Sequence, residues 1–180
     1  MPETKKETLK QRQQRTKPLI EDAINQSLDG DMKNNALNLV AYVRENNINV
    51  RLGRNVNTWN ARFKGNIFWI RVDMEHTEIN AWHAIVRLRH FREYENLIIS
   101  EGLQDEIFEY LNHCNCPHKC DEGPRINMAF GREITHCGHR FKYGFNYYSP
   151  KEPDEAMVER MKWLLDLEIK ARKGLLFANI

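Results

Sequence analysis

Residues 58–73, TWNARFKGNIFWIRVD, decide the fold. Apolar and polar side chains alternate on both sides of Gly65-Asn66, which predicts two strands joined by a two-residue turn. That turn pairs Lys64 with Ile67, Phe63 with Phe68 and Arg62 with Trp69. One face then carries Trp59, Ala61, Phe63, Phe68, Ile70 and Val72, wholly apolar, and belongs to the core. The other carries Asn60, Arg62, Lys64, Ile67, Trp69 and Arg71, with Arg62 across from Trp69 at cation–π range.

Working outward, AWHAIVRLRHF (81–91) resumes the alternation. Trp82, Ala84, Val86 and Leu88 join the core face, while His83, Ile85 and Arg87 join the open one. On the N-terminal side, Ile48, Val50 and Leu52 alternate up to Gly53 and predict a further strand. From 46 to 72 there are five basic side chains and no acidic one. The sheet is therefore expected to have one apolar side and one basic, aromatic side. Arg62, Lys64, Trp69, Arg71, His83 and Arg87 are the predicted ligand-binding set, for a small anionic ligand or a protein partner. Single-stranded nucleic acid is a weaker alternative, because Trp59, Phe63 and Phe68 fall on the core face and leave only Trp69 open for stacking.

Helical spacing flanks this sheet. Ile20, Ala23, Ile24 and Leu28 recur as one helix stopped by Gly30, and Ala36, Leu37, Leu39, Val40 and Val43 as a second, capped by Asp31. Two more follow at 91–98 and 103–111, separated by Gly102. A last helix is opened by Pro153, Asp154 and Glu155 and ended by Gly174, with LLFANI left as an apolar tail expected to dock. Alternation at 126–130 and 141–147 predicts late strands. The expected class is α+β: an antiparallel sheet of about four to six strands with helices on one face, after an N-terminal helical pair. Residues 1–17, polar and unpatterned with six basic and two acidic side chains, read as a flexible basic tail, and 18–180 as one domain.

A second constellation lies at 113–139, HCNCPHKCDEGPRINMAFGREITHCGH. It holds all four cysteines and four of the seven histidines. Thiolate and imidazole in such density suit zinc, and the expected ligands are Cys114, Cys116, Cys120 and Cys137, with His118 or His139 replacing one. The C-x-C-x3-C spacing differs from paired zinc knuckles and from ferredoxin-type runs, so free thiols, an iron–sulfur cluster and a disulfide stay open beside it. Glu122 and Glu133 are near, but neither sits in a common hydrolytic zinc motif.

Nucleotide-binding glycine motifs and a hydrolase serine elbow are absent from the sequence. Its net charge of +2 gives no global signature of nucleic-acid binding. No apolar run reaches membrane-spanning length and no signal peptide is recognisable, so the expected compartment is the cytoplasm. Two readings follow. One is a non-enzymatic binding domain stabilised by structural zinc, and the other a metal- or thiol-dependent enzyme using the Cys114–His139 cluster.

The order of elements, with TWNARFKGNIFWIRV and the late cysteine cluster, resembles small uncharacterised α+β proteins of Gram-positive bacteria over residues 35–172. Its general plan is similar to small bacterial domains related to a frataxin-like iron-handling fold. The resemblance implies a fold and no activity.

Overall fold

The computed structural model describes residues 7–74, 81–111, 124–137 and 146–176. Three helices come first: α1 (Leu9–Thr16), α2 (Ile20–Ser27) and α3 (Gly30–Glu45). Strands β1 (Asn49–Leu52), β2 (Thr58–Arg62), β3 (Asn66–Val72) and β4 (Trp82–Leu88) follow, then helices α4 (Phe91–Ser100) and α5 (Gln104–Tyr110). A hairpin of β5 (Pro124–Ala129) and β6 (Arg132–Cys137) precedes β7 (Asn146–Tyr148) and the long closing helix α6 (Glu155–Lys173). The protein is α+β, as expected. Its main sheet is antiparallel with order β1-β2-β3-β4-β7, and β5-β6 form a separate two-stranded sheet. Among the described residues, no helix is long and apolar enough to cross a membrane.

Alternation places one side chain in two on the helix-covered face. The row Val50, Ala61, Phe68, Val86 and Tyr148 crosses all five strands, each paired with the next. All five are buried. Helices α2, α3 and α6 pack against this face, and α4 packs on α6. Their apolar stripes supply Ile20, Ala23, Ile24, Leu39, Val40, Val43, Val158, Met161 and Leu165, all fully buried. This is ordinary amphipathic layering.

The central hairpin differs from its expected register. Ala61 pairs with Phe68 and Asn60 with Trp69, and a bulge then brings Arg62 opposite Asn66. The turn is Phe63-Lys64-Gly65, with Lys64 and Gly65 at positive φ and the Phe63 N–H donating to Gly65 O at 2.8 Å. Trp69 thus faces Asn60 rather than Arg62. Because the register moved by two residues, an even number, the two faces kept their members. The bulge accounts for the exceptions: Ile67, expected on the open face, is fully buried beside Phe68, and Phe63 leaves the ladder to pack at the core's margin under the Lys173 ammonium, 5.6 Å away.

What holds that hairpin on the helical layer is an ion pair absent from the apolar pattern. Glu168 and Arg172, one turn apart on α6, have side chains 0 % and 2 % exposed and meet at 2.8 Å. Each carboxylate oxygen takes two bonds. Oε1 accepts from Arg172 Nε at 2.8 Å and His90 Nδ1 at 3.0 Å, and Oε2 from the His90 N–H at 3.0 Å and Tyr94 Oη at 2.9 Å. The guanidinium donates onward to the turn, from Nη1 to Phe63 O (2.7 Å) and Lys64 O (3.1 Å), and from Nη2 to Asn66 O (3.2 Å). Lys64 returns a bond from Nζ to Arg172 O at 2.7 Å, at the negative end of α6. Lys64 therefore braces the helix instead of joining the open face.

The N-terminus is also more ordered than a polar tail should be. Residues 7–17 were expected to lie in a flexible tail, but Thr8 and Gln11 form a capping box and α1 follows. Gln13 is buried, donates through Nε2 to Asn57 Oδ1 and accepts the Asn57 N–H at 3.0 Å. Just beyond, Trp59 Nε1 donates to Pro18 O at 3.0 Å. A single buried glutamine breaks no periodicity, so it left no trace in the pattern. Asp31, the expected cap of the second long helix, lies in its first turn, with Asp29 in the capping position.

Later elements follow their local signals. Ala129 pairs with Arg132 around Phe130-Gly131, both at positive φ, the geometry of a tight hairpin turn. Phe130 docks that turn on α4, with its N–H on Glu95 Oε1 and its ring 5.1 Å from Phe91. Asp154 caps α6 by accepting the Met157 N–H at 2.8 Å, and Gly174 at φ 72° ends it. Of the apolar tail, Leu175 is exposed and Leu176 packs on the core's edge.

Arg172→Ala would leave Glu168 buried without its counter-charge and three turn carbonyls without a donor. Breaking one partner of such a pair costs about 3–5 kcal/mol. Urea unfolding followed by tryptophan fluorescence should show a loss of that size, and a loss below about 1 kcal/mol would show the network to be peripheral.

Candidate functional site

On the face away from the helices, cross-strand pairing lines side chains up in rows. One row runs Arg51, Asn60, Trp69, Ile85 from β1 to β4. A second runs Thr58, Arg71, His83 across β2, β3 and β4 and reaches Lys151 through an isolated bridge. Arg62 lies beside Asn49, and Arg87 beside Tyr147 of β7.

Three depressions follow these rows and share walls. The first, of about 510 Å³, includes Gln14, Asn49, Arg51, Arg54, Asn60 and Arg62. The second, of about 590 Å³, has Arg54, Asn60 and Arg62 in common with it and extends to Asn66, Trp69 and Arg87. The third, of about 320 Å³, shares Asn55, Thr58 and Trp69 with the second and reaches Arg71, His83, Ile85 and Tyr147. Together they form one trough from the β1 edge to β7. Its described lining contains five arginines and no carboxylate.

Of the six residues expected to bind a ligand, Arg62, Trp69, Arg71, His83 and Arg87 line the trough and Lys64 does not. Arg51 and Arg54 line it as well. They belong to the acid-free run 46–72, which was the available signal for them. Tyr147 is the residue that sequence reasoning missed. Its ring lies 5.7 Å from Trp69 at 50°, and Arg87 sits 6.0 Å from the centre of a Trp69 ring, so the open face carries two rings and an adjacent cation. Only the pairing of β7 with β4, a contact between distant segments, puts Tyr147 there.

Burial tunes two of these groups. His83 is half-buried and its Nε2 lies 2.6 Å from Ser149 Oγ. Desolvation lowers its pKa, and Lys151 and Arg71 push in the same direction, outweighing a backbone hydrogen bond at Ser149 that raises it. Arg87 is lowered chiefly by desolvation too but, starting from the high value of a guanidinium, stays a cation at neutral pH. The positive charge of the trough therefore comes from guanidinium groups, while His83 is neutral.

Gly53 shapes the β1 end. Its N–H donates to Thr58 O at 2.7 Å, and a Cβ there would stand 2.7 Å from Asn60 Nδ2 and 3.0 Å from Thr58 O. A side chain at position 53 would push the Asn60 amide aside and press on the Thr58 carbonyl, so glycine leaves Asn60 its place in the trough.

Cys114, Cys116, Cys120, His118 and His139 fall outside the described residues, and of Cys137 the backbone at the end of β6 is described. Among the described residues, no group of three or more His, Cys, Asp or Glu side chains is placed to hold a metal. No family model matches the chain, and no curated protein or solved structure shows significant similarity to it.

A lowered folded-state pKa at His83 makes stability depend on pH. As pH falls through about 6.5, the unfolded chain takes up this proton while the folded chain does not, so stability drops towards the lower folded value. His83→Gln should remove this part of the acid loss in urea midpoints measured from about pH 7.5 to 5. An unchanged profile would place His83 in an environment that does not disfavour its charge.

Proposed function

We propose that this protein is a non-enzymatic binding domain that takes an anionic ligand or partner on the open face of its five-stranded sheet. The observation that carries this reading is the continuous trough lined by five arginines and no carboxylate among its described residues. Cations gathered in a cleft with a protein wall behind them focus a positive field and raise the local concentration of anions. Guanidinium groups present planar pairs of donors that suit phosphate and carboxylate. The described lining offers donors, amides and rings, with neither a carboxylate nor a thiol, a set fitted to recognition.

A zinc ion held by Cys114, Cys116, Cys120 and Cys137, with His118 or His139 able to replace one of them, belongs to the same proposal as a structural clasp. Its support is the β5–β6 register, which pairs Cys137 with Pro124. That places the backbone of Cys137 beside a residue four positions after Cys120. A zinc here would supply cross-linking energy to a segment that leads from α5 to β7.

Inorganic polyphosphate, titrated calorimetrically, should bind with an affinity that falls as salt rises from about 0.02 to 0.2 M. Arg51→Glu with Arg62→Glu, at two exposed positions, should weaken binding by about tenfold or more with the circular dichroism unchanged. Equal binding by the double variant would defeat the reading.

Elemental analysis of the purified protein should find about one zinc per chain, with thiols that react freely once a chelator is added. A metal-free protein with four promptly reactive thiols would remove the clasp.

A further inference from the structure

We infer that the occupant of the trough is single-stranded nucleic acid, laid across the strands with bases against Trp69 and Tyr147. This rests on the anion-binding reading above and names the ligand class.

The spread of the cations argues against a small anion. Arg51 is on β1, Arg62 on β2, Arg71 on β3 and Arg87 on β4. Adjacent strands lie about 4.8 Å apart, so these guanidinium-bearing positions cover about 14 Å across the sheet. One phosphate reaches one or two of them. A chain of phosphates reaches all.

The remaining lining argues against a bare polyanion. Trp69 and Tyr147 lie together at one end of the trough, with Ile85 beside them. Asn49, Asn55, Asn60 and Asn66 line the rest. Rings give sequence-tolerant stacking surfaces for bases, which a polyphosphate or polyglutamate cannot use, and amides pair with base edges as well as with phosphate oxygens. A duplex fits poorly for a separate reason. Its bases are already stacked and paired, and apart from Gln14 of α1 the described lining comes from strands and their loops, with the helices α2, α3 and α6 on the other face of the sheet.

Anisotropy of a labelled thymidine oligonucleotide of about 12 nucleotides tests this. Unlabelled competitors are a duplex of the same length, inorganic polyphosphate and polyglutamate. The single strand should bind most tightly, with log K falling against log salt at about 0.7 per phosphate contacted. Arg51→Glu with Arg62→Glu should shallow that slope by about 1.4. Trp69→Ala should weaken the oligonucleotide by about tenfold and polyphosphate by much less, and Tyr147→Ala provides the same test should Trp69→Ala fail to fold. If polyphosphate or polyglutamate displaces the oligonucleotide as well as an unlabelled copy does, and neither ring variant discriminates, the nucleic-acid inference falls while anion binding stands. A duplex that binds as tightly as the single strand also overturns it. If no polyanion binds, both readings fall together.

Discussion

Glu168 and Arg172 sit one turn apart on the closing helix with side chains almost wholly shielded from water, and the arrangement of the sheet on its helices depends on them. A buried carboxylate is tolerable only with its hydrogen-bonding capacity filled, and here Arg172, Tyr94 and the backbone N–H and Nδ1 of His90 fill it. A buried guanidinium has the same requirement. It meets it with the carbonyls of the β2–β3 turn. The cluster thus joins the last helix, the start of α4 and the central hairpin, three segments far apart in sequence. Hydrophobic burial favours the layers coming together. The directional bonds specify how the hairpin sits on α6.

That position has consequences on the opposite side of the sheet. The bulge that brings Arg62 opposite Asn66 buries Ile67 and leaves the guanidinium of Arg62 outward, where the arginine-lined trough runs. Lys64 is withdrawn to the helix terminus, so the trough's charge rests on arginines. Tyr94 illustrates the cost of the same cluster. Burial and the adjacent Glu168 carboxylate push its phenol pKa well above the ordinary value, so it stays a neutral donor throughout the accessible pH range.

The two ends of the trough are set by different devices. At the β1 end, Gln13 bonds to Asn57 in the β1–β2 loop and Trp59 to Pro18, so the N-terminal helix steadies the loop that bears Arg54 and Asn55. At the β7 end, the pairing of Tyr147 with Arg87 adds the second ring. Both depend on segments more than forty residues apart in the chain, and both place polar or aromatic groups where a local pattern gives no sign of them.

The sequence by itself determined the fold class, most helix spans and the sidedness of the sheet. These follow from periods of 3.6 and 2, which burial imposes on any chain that forms one layered core. It also marked Arg62, Trp69, Arg71, His83 and Arg87, since alternation survives an even shift of register. Tertiary structure alone decided the register, the burial of Ile67, the role of Lys64, the docking of α1 through Gln13 and the arrival of Tyr147 beside Trp69. Each of these turns on a hydrogen bond or a strand pairing between distant segments. Such contacts carry no periodicity, and a single glutamate or arginine on a helix reads the same in sequence whether it faces water or closes a buried network.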